Sequence, residues 1–260
     1  MKYWYHKPNN LLTEYVRTVL IIEGFSEPGS NVLPIFTNGL PTLFCRTEKG
    51  QTDYAQMEQL TLFGTFAPPD CWTINERTTI IAYFFKPFAL AGLFNIAAKK
   101  LKENPIDLCN WSPHKFNALK TQLIYSGSTT RKTEVLDNLL IEQLTLHKRT
   151  CEIIQYATDQ IMCNSGREIL PEILKELHLT ERTFQRIFKK FVGVTPTQYR
   201  RICQFQLSFG QLRSKQFDKI SDVAFDNCFA DQSHFIRSFK EFTQTTPNEY
   251  LRKGLTGEHK

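Results

Sequence analysis

The feature that most limits how this chain can fold is a duplication. From Thr183 the sequence runs Thr-Phe-Gln-Arg-Ile-Phe-Lys-Lys-Phe, and from His234 it runs His-Phe-Ile-Arg-Ser-Phe-Lys-Glu-Phe. Phe184/Phe235, Arg186/Arg237, Phe188/Phe239, Lys189/Lys240 and Phe191/Phe242 match at one offset of 51 residues. The same offset pairs Thr195-Pro196 with Thr246-Pro247 and Tyr199 with Tyr250. Apolar residues recurring every three or four positions make one face of a helix. The Phe residues are therefore core, and each copy turns an Arg the other way. A helical unit used twice in this way lets one chain meet two successive stretches of DNA groove. A purely structural duplication is the competing reading.

The surrounding punctuation completes each unit. Ile169 to Leu177 reads as a short helix, His178-Leu179-Thr180 as a turn with Thr180 as N-cap, and Glu181 to Phe191 as a second helix that Gly193 ends. Pro196 opens a long helix through about Arg213. Ile220, Val223 and Ala224 mark the next short helix, a turn runs from Asn227 to Ala230, and a helix from Asp231 buries Phe235, Phe239 and Phe242. Pro247 opens a final short helix. The result is two helix-turn-helix units joined by one helix.

In such a unit the second helix lies in the major groove and its exposed N-terminal residues meet base edges. The buried stripe leaves Glu181, Arg182, Gln185, Arg186 and Lys189 outside in the first unit, and Gln232, Ser233, Ile236, Arg237 and Lys240 in the second. Arg forks onto guanine O6 and N7, Gln onto adenine N6 and N7, and Ile236 can meet a thymine methyl. Thr180, Lys189, Lys190, Arg200, Arg201 and Lys240 are placed for phosphates, which position without specifying. Glu181 faces either the incoming phosphates or cytosine N4. The plainer reading of Arg186 and Arg237 is surface pairing with acidic neighbours.

Charge agrees with a polyanionic partner for this end. Residues 165–260 hold 16 Lys+Arg against 11 Asp+Glu, so they carry +5 of the chain's net +6. The first hundred residues are strand-like instead: Tyr15 to Ile22, Leu60 to Phe63 and Thr78 to Phe85 are rich in β-branched and aromatic residues, bounded by turn formers such as Asn38-Gly39 and Pro68-Pro69-Asp70. They predict a small antiparallel barrel or sandwich, with Ala89 to Leu101 a helix after Pro87. From Pro105 to Asn164 the pattern is helical and serves either a subunit interface or packing on the barrel. The fold class is thus α+β, divided into 1–104 for sensing or assembly, 105–164 as a helical linker, and 165–260 for DNA.

Several chemistries are excluded. Seven scattered cysteines with no CxxC spacing read as reduced thiols of a cytoplasmic protein. No stretch nears the ~18 apolar residues of a membrane span, and Met1 to Asn10 lacks a signal core. The strand region holds only His6, which argues against metal, and no phosphate loop or nucleophile elbow is present. No cofactor is expected, and an enzyme using a reactive Cys45 beside Arg46 is the weaker alternative.

The duplicated segments resemble the DNA-binding domain of the AraC family of bacterial transcription regulators. Carrying the likeness are Leu179-Thr180-Glu181-Arg182-Thr183-Phe184-Gln185-Arg186-Ile187-Phe188-Lys189-Lys190, Gly193-Val194-Thr195-Pro196-Thr197-Gln198-Tyr199, and Phe229-Ala230-Asp231-Gln232-Ser233-His234-Phe235-Ile236-Arg237-Ser238-Phe239-Lys240 with Thr246-Pro247-Asn248-Glu249-Tyr250. The resemblance implies recognition helices in adjacent major grooves, with Arg182, Gln185, Arg186, Gln232, Ser233 and Arg237 reading bases. It implies double-stranded DNA as partner, with RNA polymerase, a second copy of the chain, and a small-molecule or protein effector alongside. Cys228 stands where the family usually has Gly, Ala230 where a capping residue is usual, and Gln204 where Arg is usual. The N-terminal half is similar to a barrel-like domain found upstream of such regulators, through Val32-Leu33-Pro34, Phe63-Gly64 and Phe85-Lys86-Pro87-Phe88. An effector pocket there would use Phe36, Phe44, Phe63 and Trp72, each of which serves equally as plain core.

Overall fold

A computed structural model describes residues 2–24, 31–35, 39–49, 55–65, 70–74, 76–101, 104–111, 113–147 and 152–252. The N-terminal strands are β1 (Lys2–His6), β2 (Val16–Glu23), β3 (Asn31–Ile35), β4 (Thr42–Lys49), β5 (Ala55–Phe63), β6 (Asp70–Ile74) and β7 (Thr78–Phe85). After α1 (Ala89–Phe94) and a 3-10 turn at Ala98–Leu101 comes the two-residue β8 (Ile106–Asp107). Six strands form an antiparallel sheet in the order β1-β2-β7-β4-β5-β8, and β3 pairs with β6 in a separate two-stranded sheet. The architecture is a lopsided sandwich.

The central strand β7 explains its own unbroken apolar run. Ile81, Tyr83 and Phe85 enter a large core on one face, while Ile80 and Ala82 enter a small cluster with Ile22, Phe44 and Ile74 on the other. Since Ile74 comes from β6, that small cluster lies between the two sheets. With both faces covered, period-two alternation disappears and every position favours an apolar side chain. The expected helix over 89–101 is instead two pieces. Asn95 adopts φ 52°, which breaks the α-helical path after Phe94.

The linker helices are α2 (Leu108–Trp111), α3 (Pro113–Tyr125), α4 (Thr129–His147) and α5 (Glu152–Cys163). Leu119, Leu123, Leu136, Leu140, Ile154 and Ile161 all pack into the large core. Two polar pairs, one half-buried and one buried, fasten α4 to the sheet: Tyr83 Oη donates to Asp137 Oδ1 at 2.8 Å, and Lys132 Nζ donates to Thr47 Oγ1 at 2.8 Å. Burial raises the Tyr83 phenol above its ordinary range, and the Asp137 carboxylate beside it adds to the rise.

The C-terminal helices are α6 (Leu170–Glu176), α7 (Glu181–Val192), α8 (Pro196–Arg213), α9 (Ile220–Asp226), α10 (Gln232–Thr243) and α11 (Pro247–Arg252). The large core does not stop at the linker. It continues through Ile169, Ile173, Phe184, Phe188, Val192 and Tyr199, so the first helix-turn-helix unit shares it with the β-rich half. The second unit has its own core of Ile202, Phe205, Leu212, Val223, Phe235, Phe239 and Phe242. Each fully buried Phe there contributes about 2–3 kcal/mol by leaving water.

Three close approaches join the C-terminal helices to the β-rich half. Thr65 Oγ1 donates to the Val192 carbonyl at 2.7 Å, a buried bond that satisfies the end of α7. Gly193, at φ 88°, lies so near Ala98 that a Cβ would stand 2.8 Å from its carbonyl oxygen. Gly39, at φ 74°, faces α8, where a Cβ would stand 2.8 Å from Ile202 Cγ2. No helix among the described residues is long and apolar enough to cross a membrane.

Candidate nucleic-acid interface

Both recognition helices begin at a formed cap. Thr180, in extended backbone, accepts at Oγ1 from the Thr183 amide, and Asp231 accepts at Oδ1 from the His234 amide at 2.7 Å. Each preceding helix ends the same way. His178 (φ 51°) and Cys228 (φ 56°) take the left-handed position, and the Leu179 and Phe229 amides reach back five residues to Leu174 and Ala224. The unusual Cys228 therefore keeps the turn and accepts strained backbone. From that shared point the two turns differ by one residue: Thr180 caps directly after Leu179, whereas Ala230 intervenes before Asp231. A longer turn thus explains why the cap is Asp231 and not Ala230.

The buried faces leave the expected residues outside. Arg182, Gln185, Arg186, Lys189 and Lys190 are exposed on α7, opposite Phe184, Phe188 and Val192. Gln232, Ser233, Arg237 and Lys240 are exposed on α10, while Ile236 is half-buried. Arg182, Arg186 and Arg237 take part in no ion pair among the described residues. Gln185 is engaged: its Nε2 donates to Glu181 Oε1 at 2.8 Å, one helical turn earlier. Lys189 and Lys190 occupy the last turn of α7, where a cation also suits the helix dipole.

The two Arg residues of α8 behave differently from each other. Arg201 pairs with Glu241 at the surface. Arg200 turns inward, with its side chain 19% exposed, its Nη2 3.2 Å from Glu168 and its Nη1 directed at the Ser165 and Arg167 carbonyls. It holds the segment entering the first unit and does not reach toward solvent as the sequence reading expected. Gln204, where the family usually has Arg, is buried and donates to the Asn227 and Cys228 carbonyls at 2.9 and 3.0 Å. It ties α8 to the second turn. Nothing in the repeat pattern signalled this role, nor that of Thr65.

Of the effector-pocket candidates, Phe44 and Phe63 meet edge to face at 6.3 Å in the cluster between the sheets. Phe36 lies outside the described residues, as does the side chain of Trp72 on β6. Among the described residues no group of His, Cys, Asp and Glu is placed to hold a metal ion. Cys45 is buried and its thiol is pushed up to about 12, chiefly by burial, which is the reverse of an activated nucleophile.

A family model described as a helix-turn-helix domain matches residues 173–253. The probable transcription factor PqrA of Proteus vulgaris is 30% identical over 103 residues, which cover 40% of this chain and 83% of that protein. The chain belongs to the AraC family of transcription regulators. The Tn10 transposon protein TetD of Escherichia coli is 32% identical over 87 residues, or 34% of this chain, and the match spans 62% of TetD's length. The crystal structure of ToxT from Vibrio cholerae O395 aligns over 98% of this AraC-family member and 99% of its own chain, with 13% identity and a TM-score of 0.49.

Proposed function

We propose that this chain is a sequence-specific regulator of transcription that binds double-stranded DNA by setting α7 and α10 into adjacent major grooves. The observation that carries this reading is the pair of capped helices whose outward sides hold unpaired arginines at matching positions, Arg186 and Arg237. Arg182, Gln185 and Arg186 read bases from the first unit, and Gln232, Ser233 and Arg237 from the second. Thr180, Lys189, Lys190 and Lys240 meet phosphates, joined by Arg201 once it exchanges Glu241 for DNA. Arg200 leaves that set because of its inward bonds.

Residues 1–104 sense an effector or a partner, 105–164 link, and 165–260 bind DNA in the cytoplasm. The apolar cluster between the two sheets, at Phe44 and Phe63, is the proposed seat of a small apolar effector. What supports a sensing role is the shared core and the Thr65 and Ala98 contacts, which give the β-rich half a direct hold on the first unit, while Gly39 touches the connecting helix α8. Such a hold lets an effector bias the orientation of one DNA-reading unit relative to the other.

The test begins with duplexes selected from random sequence by the full-length chain. Arg186→Ala weakens binding to the selected site by about 1–3 kcal/mol and relaxes preference at one base pair. Lys189→Ala weakens all sequences alike and lowers the salt slope by about one. Equal binding of wild type and Arg186→Ala to every sequence ends the base-reading assignment.

A further inference from the structure

We infer that Glu181 is a positioning residue for base selection: by holding the Gln185 amide in one orientation, it favours adenine over guanine at the base Gln185 meets. This rests on the DNA-reading role proposed for α7.

The geometry begins with one hydrogen bond. Gln185 Nε2 donates to Glu181 Oε1 at 2.8 Å, and both side chains are exposed on the side of α7 away from Phe184 and Phe188. An ionised carboxylate only accepts, so only the NH2 end of the amide can face it. The carbonyl end is thereby turned away, and one N–H remains beside it. An acceptor next to a donor complements the major-groove edge of adenine, whose N6 donates and whose N7 accepts. Guanine offers two acceptors, O6 and N7, so a fixed carbonyl oxygen there meets repulsion. Reading guanine would require the amide to turn its NH2 group to the base and give up Glu181.

The arrangement belongs to the first unit alone. The repeat places Gln232 and Ile236 at the positions of Glu181 and Gln185, and Ile has no amide to orient. It also resolves what an acidic residue does on a surface that must approach phosphates. Glu181 sits in the first turn of α7, where the helix dipole favours a negative charge, and its charge is directed to a neighbouring side chain.

The experiment uses the full-length chain and a duplex selected from random sequence by the wild type. Gln185→Ala first locates the base pair at which preference disappears. Affinities are then measured for duplexes carrying A or G at that position. Glu181→Ala is expected to lower the adenine-to-guanine ratio about two- to fivefold, the share of one exposed hydrogen bond. Affinity for both duplexes holds or rises, because a negative charge leaves the DNA surface. Glu181→Gln offers a donor as well as an acceptor, so it lets the Gln185 amide face either way and is expected to lower the ratio too, by less than Glu181→Ala. A wild-type ratio in Glu181→Ala overturns the proposal, as does a wild-type ratio in Glu181→Gln, which would show that an acceptor-only partner is not what orients the amide. If Gln185→Ala leaves every base preference intact, the base-reading role of Gln185 falls first and the Glu181 proposal with it.

Discussion

Gly193→Ala should destabilise the protein by about 2–4 kcal/mol, because this glycine serves two structures at once. It is the left-handed C-cap of α7 at φ 88°, a conformation that costs a residue with a Cβ roughly 1–2 kcal/mol. It is also where the first unit meets the β-rich half. The added methyl would stand 2.8 Å from the Ala98 carbonyl oxygen and 3.0 Å from its carbon, both backbone atoms that cannot rotate away. Restoring ordinary contact at 3.4 Å requires the two segments to part by 0.6 Å. A gap of that size forfeits about a quarter of the local dispersion energy and stretches the 2.7 Å Thr65–Val192 bond, together costing about 1–2 kcal/mol. Urea unfolding followed by circular dichroism measures the loss. Gly210→Ala is the control: a Cβ there meets nothing within 4 Å, the position is helical in the last turn of α8, and stability should rise by up to about 0.5–1 kcal/mol. Equal effects of the two substitutions, or a Gly193→Ala loss below about 0.5 kcal/mol, would refute the docking of α7 on Ala98.

Two further expectations concern the second unit and the core. Gln244 occupies the position of Gly193 in the repeat and takes the same left-handed cap at φ 60°, so Gln244→Gly should raise the urea midpoint by the equivalent of about 1 kcal/mol. The Cys45 thiol is raised from 9.0 to about 12 by burial, so the native state keeps a proton that the unfolded chain loses. Its contribution is fully present below pH 9.0 and is lost as pH climbs toward about 12, at up to about 1.4 kcal/mol per pH unit. Cys45→Ala should make the alkaline decline of unfolding free energy shallower by one proton, a slope read from urea titrations between about pH 10 and 11.5.

Local chemistry made the C-terminal half readable. The Phe stripe, Thr180, Pro196, Gly193 and Pro247 each act within a few residues, and α7 and α8 begin where those signals place them. The end of the second turn was harder, because one extra residue moves the cap from Ala230 to Asp231 without altering the stripe. In the N-terminal half β7 was legible by its length and branching, but β1 was not. It is an edge strand with four of its five residues exposed, so it carries no alternation. The outward residues of α7 and α10 followed from the buried ones by subtraction. The inward turn of Arg200 did not, since it depends on Glu168, thirty-two residues earlier. The join between the halves was invisible for the same reason: Thr65 and Val192 are 127 residues apart, and neither belongs to a pattern that names the other.

The most direct measurement is a guanine N7 protection map of a selected duplex, made with wild type, Arg186→Ala and Arg237→Ala. Two recognition helices working together predict two protected major-groove segments on one face of the duplex, about 10 base pairs apart. Arg186→Ala should erase protection in one segment and Arg237→Ala in the other, each leaving its companion visible. A single segment indifferent to Arg237, or two segments facing opposite sides of the duplex, would contradict the account.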